Sequence, residues 1–181
     1  ARPQTASPTL AISYVNNPFT VTLTQKIDDT QSFEIERRYD GLGRPTLVTA
    51  NNSILVNYTY GYENGARVDK QSVPHTSAET VYWSKVKYDS MGRPSLVTAQ
   101  DGTMTNYAYN GLETTVTDAN GNATSSVTNI LGQTLTVIPS AGPNLTFTYD
   151  ALGNLKTAVR GATVSINYDT AGRKKSMNDP D

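Results

Sequence analysis

Few side chains in this 181-residue sequence combine the types and spacing that chemistry needs. The richest oxygen run is Asp118-Ala119-Asn120-Gly121-Asn122, which opens like a calcium loop with ligands at alternate positions. An EF-hand needs glycine sixth and glutamate twelfth. Ala123 and Asn129 stand there, so the run reads as a hairpin turn. His75 is the only histidine, follows Pro74, and has no second histidine or any cysteine to share a metal with. It reads as a solvated loop residue. A hydrolytic triad would have to use it, and no Gly-x-Ser-x-Gly elbow is present. Gly41-Leu42-Gly43 lacks the third glycine and the following helix of a dinucleotide site. The carboxylate pairs are Asp28/Asp29 and Glu34/Glu36. The second lies on one face of an expected strand, where glycosidase carboxylates could sit, but Arg37 and Arg38 adjoin it. Salt-bridged, solvated strand edges are the better reading. No catalytic residue, metal ligand or cofactor is assigned, and the chain reads as a non-enzyme.

The remaining candidates are aromatic. Eleven tyrosines and Trp83 could form stacking platforms for sugar rings, yet most of the tyrosines alternate in phase with Leu, Val or Ile, which favours packing. Tyr82-Trp83-Ser84-Lys85 differs, because aromatics point to both faces and Trp83 shares its face with Lys85 and Lys87. Tyr82 and Trp83 are therefore the candidate ligand-binding pair, with a glycan as the ligand. Asn51, Asn57, Asn122 and Asn144 each begin an Asn-x-Ser/Thr sequon, which a chain this rich in Thr and Asn produces by chance.

The elements that would hold these residues follow from composition. Thr occurs 26 times, Asn 15, Gly 13 and Tyr 11, a mixture of strand formers and turn formers. The chain reads as all-β with short connections. Cysteine is absent, which excludes a disulfide scaffold, a thiol catalyst and a cysteine-based zinc or iron–sulfur site. Fifteen basic against sixteen acidic residues give a net charge of -1, without the basic excess of a nucleic-acid binder or a polybasic membrane patch. No apolar run approaches the ~18 residues that span a bilayer. The ends read as those of a fragment: Ala1 precedes no signal-peptide core, and Asp181 follows soon after a repeat has begun.

That repeat is the dominant feature. Tyr39-Asp40-Gly41-Leu42-Gly43-Arg44-Pro45 recurs as Tyr88-Asp89-Ser90-Met91-Gly92-Arg93-Pro94, as Tyr149-Asp150-Ala151-Leu152-Gly153-Asn154 and as Tyr168-Asp169-Thr170-Ala171-Gly172-Arg173. Weaker copies begin at Tyr109 and Thr128. The starts at 88, 109, 128, 149 and 168 give steps of 21, 19, 21 and 19. The step of 49 from 39 to 88 divides into 21 and 28 if Tyr60-Gly61-Tyr62 is a faded copy, leaving an insertion near 71–79.

One copy has a direct physical reading. Asp accepts from backbone N–H groups two residues on, and Gly three positions later takes the positive φ of a type I turn with a bulge. Asp40, Gly43, Asp89, Gly92, Asp150, Gly153, Asp169 and Gly172 are therefore structural turn residues. Arg44, Arg93 and Arg173, at a fixed offset, should brace the turns or pair with those aspartates. Asp101-Gly102, Asn120-Gly121 and Arg160-Gly161 mark the return turns. Leu145, Phe147 and Tyr149 alternate with Thr146 and Thr148, the period-2 pattern of a strand with one apolar face. The chain thus divides into a lead-in or degenerate repeat over 1–38 and a repeat region over 39–181. A lone hairpin has nothing to bury its apolar face against, so successive hairpins must pair into a ribbon. The unpaired end strands of an isolated piece should favour self-association.

Tyr-Asp-x-x-Gly-Arg at a step near 20 residues resembles the YD repeat of Rhs proteins. Similar repeats occur in the C components of bacterial Tc insecticidal toxin complexes and, more distantly, in teneurins. The resemblance covers roughly residues 33–181, and Pro45 and Pro94 after Gly-Arg favour the bacterial members. It implies a sheet ribbon that spirals into a shell around a C-terminal toxin segment. It further implies a larger bacterial protein, secreted or at the cell surface, whose partners are the rest of its own shell and the enclosed segment. The Asp-Pro-x-Gly-Leu pattern of the family's cleavage region is met only at Asp179-Pro180, so no self-cleavage residue is assigned. The expected function is a non-catalytic piece of shell wall. The alternative is a cell-surface repeat that binds carbohydrate or protein.

Overall fold

The computed structural model describes residues 10–16, 19–27 and 31–180. It is all-β, with sixteen strands and no helix among the described residues. The chain divides into two compact units, Ala1–Thr103 and Met104–Asp181.

The first unit holds β1 (Leu10–Asn16), β2 (Phe19–Lys26), β3 (Ser32–Tyr39) and β4 (Pro45–Ala50). It continues through β5 (Ile54–Glu63), β6 (Ala66–Ser72), β7 (Trp83–Tyr88) and β8 (Pro94–Thr98). Each strand pairs antiparallel with the next in the chain. The second unit repeats this plan. Its strands are β9 (Met104–Asn110), β10 (Glu113–Thr117), β11 (Ala123–Thr128), β12 (Thr134–Ile138), β13 (Leu145–Tyr149), β14 (Leu155–Arg160), β15 (Ala162–Tyr168) and β16 (Lys174–Asn178). They too pair consecutively. Within each unit the connections are therefore local hairpins, as tandem copies of one strand–turn–strand unit require.

The alternation read from sequence sets the two faces. Leu145, Phe147 and Tyr149 are half-buried while Thr146 and Thr148 are exposed. Registry carries each pattern sideways, with Phe147 opposite Ala158 and Ala158 opposite Val164. On the other face hydroxyls bond across strands: Thr148 Oγ1 to Thr157 Oγ1 at 2.6 Å and Thr115 Oγ1 to Ser125 Oγ at 2.7 Å. Each such pair contributes about 0.2–1 kcal/mol. Within each unit one sheet has no second layer against it. Val68, 2% exposed, is the one fully buried large apolar side chain among the described residues.

Three expectations change. β5 runs unbroken through Tyr60-Gly61-Tyr62, and its turn comes later, at Asn64-Gly65, where both residues have positive φ (51° and 78°) and Glu63 faces Ala66. An Asn-Gly pair suits this two-residue type I′ turn. The insertion begins after Ser72, because Gln71 and Ser72 still belong to β6, and it runs to Tyr82. Glu34 and Glu36 do not lie at a sheet edge, since β3 pairs on both sides with β2 and β4.

Candidate functional site

The repeat turns are built alike. The Asp40 N–H donates to the Arg44 carbonyl at 2.9 Å and the Gly43 N–H to the Asp40 carbonyl at 3.0 Å. Asp40 Oδ1 accepts from the backbone N–H of Leu42 and of Arg44, and Oδ2 from Arg44 Nε at 2.8 Å. Asp89 with Arg93 and Asp169 with Arg173 reproduce this geometry. Asp150 does so with Asn154; at Asn129, Oδ1 accepts from the Gln133 N–H in the same way, but Nδ2 donates to Gln133 Oε1 at 2.7 Å. An ion pair, an acid–amide pair and an amide–amide pair thus fill one slot, because the backbone donors need only an oxygen. Gly43, Gly92, Gly132, Gly153 and Gly172 all carry positive φ. Past the turn each copy adds a bulge. Tyr39 faces Pro45 but Arg38 faces Leu47, which leaves Thr46 extra, and its hydroxyl donates to the Arg38 carbonyl. Ser95 repeats this against Lys87.

The calcium-like run is another such turn. Asp118 Oδ1 accepts from the N–H of Asn120 and Asn122, and Oδ2 from Asn122 Nδ2 at 2.9 Å. Both carboxylate oxygens are engaged, which is the hairpin role expected of the run. Asn120-Gly121 therefore closes a four-residue turn and not a two-residue one. The same holds at Asp101-Gly102, where the Gly102 N–H donates to the Ala99 carbonyl.

Successive turns touch. The Tyr60 hydroxyl donates to the Pro45 carbonyl at 2.9 Å, and fifteen residues likewise separate Tyr149 from its acceptor, the Thr134 carbonyl, at 2.8 Å. Tyr60 thus fills the repeat tyrosine's place although its turn lies three residues later. Gln133 Nε2 reaches the Gly153 carbonyl at 3.2 Å.

His75 departs most from expectation. It is buried, 5% exposed, and its backbone makes a two-way bridge with Leu55 of β5, at 2.7 and 3.0 Å. Ser72 Oγ accepts from the Asn57 N–H at 2.8 Å, so a side chain ends the β5–β6 ladder there. The insertion then takes over as the partner of β5. His75 Nδ1 lies 2.9 Å from the Val73 carbonyl, which can only accept, so Nδ1 carries the proton. Nε2 is left to accept from Asn57 Nδ2 at 3.1 Å. The ring locks the insertion; a solvated loop residue it is not. Asn57 and Asn122, two of the sequon asparagines, have their amide nitrogens engaged in these contacts.

Of the two carboxylate pairs, Glu34/Glu36 falls among the described residues. Glu36 pairs with Arg38 Nε at 2.7 Å, while Asp28 and Asp29 lie outside the described residues. Among the described residues no group of three or more His, Asp or Glu side chains is gathered.

Trp83 and Tyr82 are not brought together. Tyr82 precedes β7, is exposed, and accepts the Val73 N–H through its backbone carbonyl. Trp83 lies with Lys85 on the opposite face, where an open cleft of about 390 Å³ is lined by Thr59, Lys70, Trp83, Lys85 and Thr98. Lys87 instead lines a separate depression near the turns at Gly65 and Gly92. Thr59, Lys70, Lys85 and Thr98 form one row across β5–β8. Glu63 bonds to both lysines, Lys70 Nζ at 2.7 Å and Lys85 Nζ at 3.3 Å. The Lys70 bond first, then that of Lys85, holds the Glu63 carboxyl below the usual glutamate value. Lys70, Glu63, Thr59 and Thr98 were not singled out from sequence. The signal was the Asn64-Gly65 turn, which fixes the β5–β6 register and puts Lys70 beside Thr59.

No protein-family model matches the chain, and no curated protein matches it. Among solved structures, a crystal structure of TcdB2-TccC3-TEV is similar, with a TM-score of 0.40 and 13% sequence identity. The likeness covers 98% of this chain and 14% of that chain.

Proposed function

We propose that the chain is a non-catalytic wall segment of an Rhs/Tc-type shell that encloses a toxin or effector segment. It would belong to a larger bacterial protein, secreted or displayed at the cell surface. The observation that carries this reading is the two-faced, self-propagating sheet. Each hairpin pairs only with its chain neighbours, and a recurring turn and bulge keep successive copies in step. In the second unit β13 turns Leu145, Phe147 and Tyr149 to a half-buried face, while on the other face two hydroxyl pairs bond across strands. Such a sheet separates two environments without needing a reactive group. The turn aspartates, which recur most regularly of all the ionisable residues, spend their oxygens on backbone donors and turn partners.

The test is protease protection of whatever the gene encodes after these repeats. The expected result is that the following segment survives digestion in the native parent and is lost once the parent is denatured. Immediate cleavage of that segment in the native protein, or a parent that carries none, rules out containment.

A further inference from the structure

Asn-Gly occurs three times, at Asn64-Gly65, Asn110-Gly111 and Asn120-Gly121. The pair is chemically special, because glycine has no Cβ to shield its backbone nitrogen from the asparagine side chain before it. All three pairs are exposed at hairpin turns, yet the fold holds them differently.

At Asn120 the reacting groups are tied down. The Gly121 N–H donates to the Asp118 carbonyl at 3.1 Å, and the Asn120 N–H to Asp118 Oδ1 at 2.9 Å. Asn110 is the last residue of β9 and pairs with Glu113, so that a carboxylate shares its face of the sheet. Asn64 is under neither restraint. Asn64 and Gly65 lie between β5 and β6, and neither the Gly65 N–H nor the Asn64 side-chain amide has a hydrogen-bond partner among the described residues. Asn64 also holds a φ of 51°, a left-handed backbone, so rotation out of it releases strain.

The surroundings differ in charge as well. Asn64 and Gly65 line an open depression of about 590 Å³ together with Arg67 and Lys87. Arg67 is tied to Asp69 at 2.7 Å, but Lys87 makes no ion pair among the described residues. Asp89, the carboxylate in that lining, is bonded to Arg93 and to backbone N–H groups. An anion formed on Asn64 therefore meets an unspent cation. Beside Asn110 and Asn120 stand the carboxylates of Glu113 and Asp118 instead.

We propose that Asn64-Gly65 is a self-modification site, at which the native chain converts Asn64 to aspartate and isoaspartate ahead of its other two Asn-Gly pairs. Hydroxide removes the Gly65 amide proton, and the nitrogen adds to Cγ of Asn64. The resulting oxyanion forms in the depression that Lys87 lines. Its collapse breaks the bond from Cγ to Nδ2, which takes a proton from water and leaves as ammonia, and a succinimide ring remains. Water opens that ring at either carbonyl. One water is consumed and one ammonia released, with nothing oxidised or reduced. The aspartate product keeps the turn, since Asp-Gly suits the same backbone. The isoaspartate product lengthens the main chain by one carbon inside a two-residue turn, and so disturbs the β5–β6 register that sets Glu63 near Lys70. Either product adds a negative charge to a chain whose net charge is -1.

The 181-residue chain is incubated in mildly alkaline buffer, natively and in urea. Peptide mapping by mass spectrometry follows the three asparagines, and ion exchange follows the new charge. In the native chain Asn64 should convert about three- to tenfold faster than Asn120, a ratio set by the hydrogen bond that Gly121 must first give up, and faster than Asn110 as well. In urea, where no turn survives, the three rates should draw level. Lys87→Gln should slow Asn64 about threefold in the native chain, the worth of one charge a few ångströms away in water, and leave Asn120 unchanged. Asn64→Asp should keep the wild-type circular dichroism and elute with the aspartate product of the wild type. The proposal is overturned if Asn110 or Asn120 converts as fast as Asn64 in the native chain, if the same ranking persists in urea, or if Lys87→Gln leaves the Asn64 rate unchanged. None of these results bears on enclosure, which the protease experiment reads separately.

Discussion

The Arg44 guanidinium carbon sits 4.2 Å from the centre of the Tyr60 ring, and the Tyr60 hydroxyl donates to the carbonyl of Pro45, the next residue after Arg44. The turn of one copy is thereby tied to the strand of the following copy by a cation–π contact and a hydrogen bond together. Burial of the Tyr60 phenol raises its pKa and keeps it a donor. In a repeat architecture each unit draws stability from its neighbour, and this contact is a concrete form of that coupling.

Removing the hydroxyl should therefore weaken the junction between copies. Tyr60→Phe and Tyr149→Phe are each expected to lower the unfolding free energy by about 1 kcal/mol, the net value of one such bond. Tyr62, 77% exposed, serves as the control, and Tyr62→Phe should leave stability unchanged. Urea denaturation followed by circular dichroism measures all three. Equal midpoints for Tyr60→Phe and Tyr62→Phe would mean that the hydroxyl does not tie the copies together.

Two glycines of equivalent repeat turns make a sharper comparison. Gly92 has φ +79° and Gly41 has no positive φ, and a methyl group added at either would meet open space. Gly92→Ala should cost about 1–2 kcal/mol from left-handed backbone alone. Gly41→Ala should be neutral or slightly stabilising, because alanine restricts the unfolded chain. Thermal melts of the two variants should move in different directions.

The turn aspartates set the acid limit. Backbone N–H bonds from Arg44, Arg93 and Arg173 hold Asp40, Asp89 and Asp169 below the ordinary aspartate value of 3.8. At Asp118 and Asp150 the side-chain amides of Asn122 and Asn154 do most of this. A depressed folded pKa means that the unfolded chain binds more protons, so stability rises with pH across the interval. The contribution is complete above the unfolded value and is lost as pH falls through the folded values. The melting temperature should stay level from neutral pH down to about pH 5 and drop below about pH 4. Asp150→Asn should flatten part of that drop, since Asn129 already shows an amide filling the same slot. A melting temperature that held steady to pH 2 would show that these carboxylates do not govern acid stability.

How much of this was legible in the sequence depended on range. Asp40, Gly43 and Arg44 bond within a span of four residues, so their turn is written locally, and the period-2 pattern of β13 sets its faces without any tertiary knowledge. The turn after Tyr60 escapes the Tyr-Asp-x-x-Gly spacing, because Asn64-Gly65 closes its hairpin by a different backbone geometry. The Trp83 cleft was half visible. Trp83 and Lys85 are two residues apart, but Lys70 and Glu63 reach them only through the register of β5, β6 and β7. His75 was misread because nothing in Pro74-His75-Thr76 announces that the segment will bridge back to Leu55, twenty residues upstream.

That bridge yields the last prediction. Deleting the His75 ring leaves the Asn57 amide and the Val73 carbonyl without their partner in a mostly enclosed place. His75→Ala should therefore cost about 2 kcal/mol and act locally, because the β-ladders on either side do not depend on the imidazole. Amide exchange at Leu55, whose N–H donates to the His75 carbonyl at 2.7 Å, should quicken markedly while exchange in β13–β15 stays constant. Chymotrypsin should then cut at Tyr82, the exposed aromatic that ends the insertion, well before it cuts elsewhere. Asn57→Leu removes the other half of the same contact and should produce the same pattern. If both variants kept the Leu55 amide protected, the backbone bridge would be holding the insertion without the ring, and His75 would be a passenger in its own loop.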